Sequence, residues 1–305
     1  MLTLTRRGFI AALGSSLMAL NYPSVASIAS PLQRPIPRDG SLLPVIGLGT
    51  WQAFDIEADD AAANAEGLAT LKHLLGQPRS VIDTSPMYGR AEAALGRLLI
   101  PADPQRQSFI ATKVWTRGQR EGRAQIETSF QRLGREVIDL FQVHNLLDYA
   151  THLPTLQALK REGRIRYIGA THYTAAAHAD LVRVITSGAI DFVQVNYSLL
   201  ERDAARTVFP AAAASQVAVL VNRPFAEGAL FQKTRNQPLP AWAVEVGCTS
   251  WAQFALKFIL AQPAVTCAIP GTRNPRYLAD NLSAGLHPVP DADMAKRMAA
   301  HFDSM

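Results

Sequence analysis

The chain has 305 residues, 48% hydrophobic and 18% charged, enough apolar surface for a full globular core, which excludes a disordered chain. Its formal charge of +5 comes from 30 basic and 25 acidic residues spread along the sequence, which is no nucleic-acid footprint. The one local basic run, Arg117, Arg120 and Arg123, is interrupted by Gly118 and Glu121 and reads as a solvated loop entering a helix.

Residues 1–30 differ from the rest. They hold Arg6 and Arg7, no acid, and an uncharged stretch from 8 to 30. Thr5-Arg6-Arg7-Gly8-Phe9-Ile10 resembles a twin-arginine export consensus, 10–20 serves as a short apolar region, and small residues around 25–30 offer cleavage sites. The apolar region is too short for a stable membrane span. The expectation is therefore a signal segment at 1–30, recognition by the twin-arginine machinery, and a periplasmic mature chain of charge +3. Cargo of that machinery folds before export, in a compartment that keeps thiols reduced, so Cys248 and Cys267 are expected as thiols.

Residues 35–43, with Asp39-Gly40 at their centre, predict a short hairpin. From there, eight β-branched-rich apolar runs follow at 44–49, 80–84, 109–114, 140–144, 167–171, 192–196, 218–223 and 266–270. Stretches of helical periodicity separate them, among them 123–133, 153–162, 175–187 and 251–260, the last opened by Thr249 and Ser250 as caps. The alanine run 211–214 falls inside another, and a final helix is expected at 291–302. Eight strands alternating with helices predict an α/β fold, a closed (β/α)8 TIM barrel over 31–305. A doubly wound sheet would need a third glycine opening a helix after the first strand, and Gly47-Leu48-Gly49-Thr50-Trp51 has none.

In such a barrel chemistry sits at the C-terminal ends of the strands, so polar residues closing apolar runs are the informative ones. Asp83 closes the second run, Tyr88 follows it, Lys113 closes the third and His144 the fourth. A phenol with an ordinary pKa of about 10 holds a proton at neutral pH and can release it to a forming alkoxide. An ammonium at about 4 Å and an effective dielectric near 20 is worth about 4 kcal/mol, which would pull that pKa down. Asp83 would hold Lys113, and His144 would hydrogen-bond the carbonyl oxygen. Blander readings exist: Asp83 as a turn cap, Tyr88 as a loop aromatic. A metal site from Asp83, His144 and His172 is the rival arrangement, which Lys113 would repel, and a metal-dependent barrel hydrolase the activity it would serve.

Asp83-Thr-Ser-Pro-Met-Tyr88-Gly, Ala111-Thr-Lys113, Asp139-Leu-Phe-Gln-Val-His144 and Ile269-Pro-Gly-Thr272, in that order between Pro44 and Leu282, resemble the motifs of the aldo/keto reductases. The resemblance implies a catalytic tetrad on Asp83, Tyr88, Lys113 and His144. It also implies NADPH extended across the barrel mouth, giving hydride to an aldehyde or ketone. Gly49 and Thr50 would approach the cofactor from the first strand. Thr171 and His172 stand where many members bind the carboxamide with Ser and Asn, and Gln194 keeps the expected amide, with Asn196 nearby. Arg223 stands where many members stack an aromatic ring on the nicotinamide, so stacking would fall to its guanidinium or to Phe225. Thr272, Arg273 and the next helix would seat a 2′-phosphate, with Arg276 compensating and Asp280 and Asn281 facing the adenine. NADP(H) is thereby favoured over NAD(H).

Trp51, Trp115 and Phe225 are the candidate lining of an apolar substrate pocket, and the short tail after the last helix predicts an open mouth. A monomer acting on a small carbonyl compound is expected. The second reading is an exported nucleotide-binding or redox-sensing barrel with little turnover, against which stands the pairing of Tyr88 with Lys113.

Overall fold

The computed structural model describes residues 31–305, so the predicted export segment 1–30 lies outside the described residues. The described chain opens on an antiparallel hairpin of β1 (Gln33–Pro35) and β2 (Leu42–Pro44), turned at Gly40, whose φ of 77° suits glycine. Its tip is tied to the barrel floor, where the Tyr167 hydroxyl donates to Asp39 Oδ2 at 2.5 Å. Ile36 and Leu43 pack there against Val81, Phe109, Tyr167 and Phe192.

Eight parallel strands follow in one sheet, each hydrogen-bonded to the next: β3 (Leu48–Gly49), β4 (Val81–Asp83), β5 (Phe109–Val114), β6 (Ile138–His144), β7 (Ile165–His172), β8 (Phe192–Asn196), β9 (Ala218–Asn222) and β10 (Val265–Ala268). Bridges Ile46 to Ala268 and Gly49 to Gly271 join the two ends, closing the (β/α)8 barrel. A Cβ on Gly49 would lie 2.8 Å from the Ile269 carbonyl oxygen, so closure itself requires glycine there.

After successive strands come α1 (Ala61–Leu75), α2 (Ala91–Ala102), α3 (Gln119–Leu133), α4 (Tyr149–Arg161), α5 (His178–Thr186) and α6 (Val208–Ala214). The short α7 (Ala229–Lys233) lies in the connection after β9, before α8 (Trp251–Leu260); α9 (Pro275–Ser283) follows β10, and α10 (Ala292–Asp303) completes the set. α8 has the predicted bounds, and Ser250 caps it by accepting the Gln253 N–H at 3.1 Å. Among the described residues no helix is long and apolar enough to cross a membrane. Cys248 and Cys267 are separate buried thiols.

The predicted strand boundaries shift where polar or proline residues intervene. The apolar run 44–49 is divided, because Pro44 pairs with Gln33 in the hairpin and only Leu48–Gly49 enters the sheet as a strand. β6 and β7 start earlier than predicted: Asp139 accepts the Ile110 N–H at 2.8 Å and a bond from Arg166 at 2.8 Å, so charged residues occupy strand positions. β9 stops at Asn222, and Arg223 leaves the sheet with φ 51°.

Side chains alternate across each strand, so the buried floor of Val81, Phe109, Leu140, Tyr167, Phe192 and Ala218 fixes which later residues face the barrel axis. Those are Asp83, Ala111 and Lys113, Gln142 and His144, Gly169 and Thr171, Gln194 and Asn196, then Leu220 and Asn222. The interior is thus apolar at the hairpin end and polar at the mouth. A Cβ on Gly169 would sit 2.8 Å from Gln142 Cγ, so the missing side chain makes room for a buried amide.

Candidate active site

Asp83, Lys113 and His144 lie at or next to the mouth ends of three adjacent strands, and Tyr88 stands in the turn between β4 and α2. The fold brings all four together. Lys113 Nζ donates to Asp83 Oδ2 and to the Thr84 carbonyl, each at 2.7 Å, and lies 4.8 Å from the Tyr88 ring centroid. The Tyr88 and His144 rings meet edge to face at 5.8 Å. Lys113 is 0% exposed, so its charge is sustained by its partners and not by water.

The other carboxylate oxygen, Asp83 Oδ1, accepts from Gln194 Nε2 at 2.8 Å and from Gln142 Nε2 at 3.2 Å. The backbone N–H and the hydroxyl of Thr50 both donate to the Asp83 carbonyl, at 3.1 and 3.0 Å. Asp83 is therefore saturated on every side, a buried carboxylate made tolerable by an ammonium and two amides.

These surroundings set the protonation states. Burial pushes the Tyr88 phenol above its ordinary range, by more than the Lys113 ammonium draws it down. The sequence led one to expect a lowered phenol, and enclosure of the hydroxyl reverses the sign. For Lys113 burial acts to lower the pKa, yet the Asp83 charge and Tyr88 outweigh it and the amine is held above its usual value. His144 is lowered to about 2, first by burial and then by the charge of Lys113 and by His172. It is a neutral imidazole. Ser85 Oγ lies 3.0 Å from its Nδ1.

The candidate cofactor residues separate into those free at the mouth and those already engaged. Gln194 is engaged, its amide nitrogen on Asp83 and 3.5 Å from Gln142 Oε1. Thr171 is buried between β6 and β8, and Asn196 Oδ1 is bound to His178 Nε2 at 3.1 Å. His172 Nδ1 accepts the N–H groups of Tyr173 and Thr174 at 3.1 and 3.3 Å, which leaves the proton on Nε2, and its ring stacks on Tyr173 at 5.6 Å. The Arg223 guanidinium lies 5.7 Å from the Tyr173 ring and pairs with Glu227 at 2.6 Å, while its buried Nε has no partner among the described residues. One residue earlier, Asn222 takes the inward place at the end of β9, with its Nδ2 3.4 Å from both the His172 carbonyl and Gln194 Oε1, and its buried Oδ1 also has no partner among the described residues.

At the far end of the mouth, Arg273 Nε pairs with Glu66 at 2.8 Å and the Thr272 hydroxyl accepts the Asn274 N–H at 3.1 Å. Arg276 is exposed in the first turn of α9. Asp280 is committed to α8, accepting from Ser250 Oγ and Gln253 Nε2 at 2.6 Å each, and Asn281 is buried beside it in α9. Trp51 and Trp115 remain 41% and 40% exposed, so the mouth is open on their side, and the Trp115 ring lies 6.4 Å from His144. Phe225 is half-buried against Phe231, their rings 5.0 Å apart.

Ser85, Gln142 and Asn222 are the site residues that the sequence reading passed over. Gln142 and Asn222 could have been found by counting in twos along their strands from apolar interior positions, Leu140 and Leu220. No comparable signal marks Ser85.

Against known proteins, the model of the aldo/keto reductase family matches residues 45–301. The chain belongs to the aldo/keto reductase family. It is an NAD(P)H-dependent oxidoreductase by that membership. The aldo-keto reductase YhdN of Bacillus subtilis is 27% identical to this reductase over 277 residues, covering 76% of this chain and 82% of its own. Methylglyoxal reductase DkgA of Yersinia pestis is 34% identical over 139 residues, and there the match spans 44% of this reductase and about half, 47%, of the relative. An aldo-keto reductase of Klebsiella pneumoniae solved with NADPH superposes with a TM-score of 0.72 at 21% identity, covering 90% of this reductase and 95% of that chain, a likeness of fold.

Proposed function

We propose that this reductase uses NADPH to convert an aldehyde or ketone to the alcohol, with Tyr88 as the proton donor. The observation that carries the reading is the buried Asp83–Lys113 pair at 2.7 Å, set under a phenol and a neutral imidazole at one barrel mouth. The mouth also fits a nicotinamide nucleotide, since Arg223 Nε and Asn222 Oδ1 are buried there with no hydrogen-bond partner among the described residues. When bound, NADPH supplies the hydride that adds to the carbonyl carbon.

The protein's own groups do the rest. His144 and Tyr88 orient the carbonyl oxygen, and the Tyr88 O–H bond breaks as its proton passes to the forming alkoxide, giving the alcohol. Lys113 stabilises the phenolate left behind until it regains a proton from solvent, and Asp83 holds Lys113 in place. Trp51 and Trp115 border the substrate side.

The protonation states give a pH prediction with a definite sign. Reduction needs Tyr88 protonated and His144 neutral. The phenol is raised above its ordinary value, and His144 titrates only near about 2. We expect kcat/KM for reduction to be flat from about pH 5 to about pH 9, without the inflection near 6.5 of an ordinary histidine. A loss of activity through pH 6–7 that persists with several carbonyl substrates would contradict the assignment.

NADP is favoured over NAD because Arg276, the Thr272 hydroxyl and the N-terminus of α9 lie together, although Glu66 already holds Arg273. Fluorescence titration with NADPH and NADH, followed by methylglyoxal, the substrate in the name of the DkgA relative, tests the reading. Tighter NADPH binding and aldehyde-dependent oxidation are expected. Binding without oxidation of NADPH by any aldehyde or ketone would favour a sensor, and no binding would remove the enzyme reading.

We further propose that the chain is exported folded, on the strength of Arg6, Arg7 and the uncharged stretch after them. Cell fractionation of the wild type and an Arg6→Lys, Arg7→Lys pair checks this. Loss of the periplasmic pool in the pair is expected, and an unchanged distribution would count against export.

A further inference from the structure

We propose that Ser85 is a positioning residue that holds His144 in one tautomer, with the proton on Nε2, so that the imidazole donates a hydrogen bond to the substrate carbonyl. The proposal rests on the reductase reading for its use, but the tautomer itself can be measured without substrate or cofactor.

The argument begins with the turn that carries Tyr88. Ser85 is 0% exposed, its carbonyl accepts the Tyr88 N–H at 3.0 Å, and its side-chain oxygen accepts the Met87 N–H at 3.4 Å. Pro86, between them, offers no N–H of its own. The serine is thereby pinned on both sides, with Oγ directed at His144 Nδ1, 3.0 Å away.

A serine hydroxyl has one proton to donate, and a buried donor needs an acceptor. Met87 occupies Oγ as a donor and cannot take that proton. Among the described residues the remaining hydrogen-bond partner of Oγ is His144 Nδ1. The serine therefore donates to Nδ1, so Nδ1 carries the lone pair and Nε2 the hydrogen. The opposite tautomer would leave the Ser85 proton buried without an acceptor.

The chemistry of the site calls for this choice. A carbonyl oxygen gaining charge needs donors, and an Nε2 lone pair aimed at it would repel it. Burial, and then the charge of Lys113, disfavour a second proton on the ring, so the donor has to be a neutral imidazole of the correct tautomer. One hydroxyl links the turn that holds Tyr88 to the strand end that holds His144, and so also sets where the two groups stand relative to each other.

The test uses nitrogen-15 histidine-labelled protein, with the His144 resonances assigned through His144→Gln. In the wild type we expect the Nε2–H pattern between pH 6 and 8, and in Ser85→Ala a mixture or the Nδ1–H form. Steady-state kinetics of Ser85→Ala should show kcat/KM for aldehyde reduced about tenfold, with NADPH affinity unchanged, and Ser85→Thr should restore both the tautomer and the rate. A wild-type Nδ1–H pattern, or a Ser85→Ala protein that keeps Nε2–H, would overturn the proposal. If the tautomer responds as expected but no carbonyl compound is reduced by the wild type, the reductase reading fails while the positioning of His144 by Ser85 stands.

Discussion

Tyr88→Phe is expected to lower kcat for aldehyde reduction by about 10²- to 10⁴-fold, the range typical of a lost general acid, with NADPH affinity nearly unchanged. The substitution removes one oxygen and keeps the ring that meets His144 edge to face. Its phenol sits among Lys113, Asp83 and His144, with the Lys113 ammonium 4.8 Å from its ring centroid to stabilise the anion left behind. Single-turnover oxidation of NADPH with saturating aldehyde separates this loss from any change in binding. A variant within threefold of wild type would assign the proton to another group or to water.

Lys113→Met should damage stability as well as catalysis. Methionine fills the volume of the buried stem but leaves the Asp83 carboxylate with two amide donors and no counter-charge. Breaking a buried pair from one side costs about 3–5 kcal/mol, which for a domain of this size lowers Tm by about 10 °C. Asp83→Asn combined with Lys113→Met removes both charges and should recover much of the melting temperature without recovering activity. Thermal unfolding of the single and double variants checks this, and equal destabilisation in both would mean that packing, not charge, holds the pair.

Much of this fold could be read from the sequence because parallel barrel strands are buried on both faces and appear as short apolar runs at regular spacing. What escaped was local. Pro44 closes the entry hairpin yet stands at the head of the first apolar run, and Asp139 and Arg166 belong to strands although charge argues for loops. The tetrad was visible because Asp83, Lys113 and His144 each interrupt an apolar pattern near the end of a run, and Tyr88 follows in the turn after the first of them. The cofactor side was less so, since the end of β9 had to be located to within one residue: a step from Arg223 to Asn222 changes which side chain faces the mouth. Gln194 shows a different limit. Its amide was assigned to the cofactor by resemblance, and only the three-dimensional arrangement reveals that Asp83 already claims it.

Lys113, Gln194 and Gln142 on the carboxylate, with Thr50 on the backbone carbonyl, saturate Asp83, so the polar half of the interior holds one side chain paired and immobile. The charge it holds keeps Lys113 protonated beneath the phenol. Catalytic geometry in this protein therefore extends two residues deeper into the barrel than the four groups at the mouth.

The measurement that tests the central claim most directly is the fate of isotope in a single turnover. Wild-type protein is mixed with NADPH deuterated at the transferring C4 position and an aldehyde, and the alcohol is examined by mass spectrometry and NMR. The account predicts one deuterium on the carbinol carbon, with stoichiometric formation of NADP⁺. Bound NADPH with no deuterium in any alcohol product would contradict it.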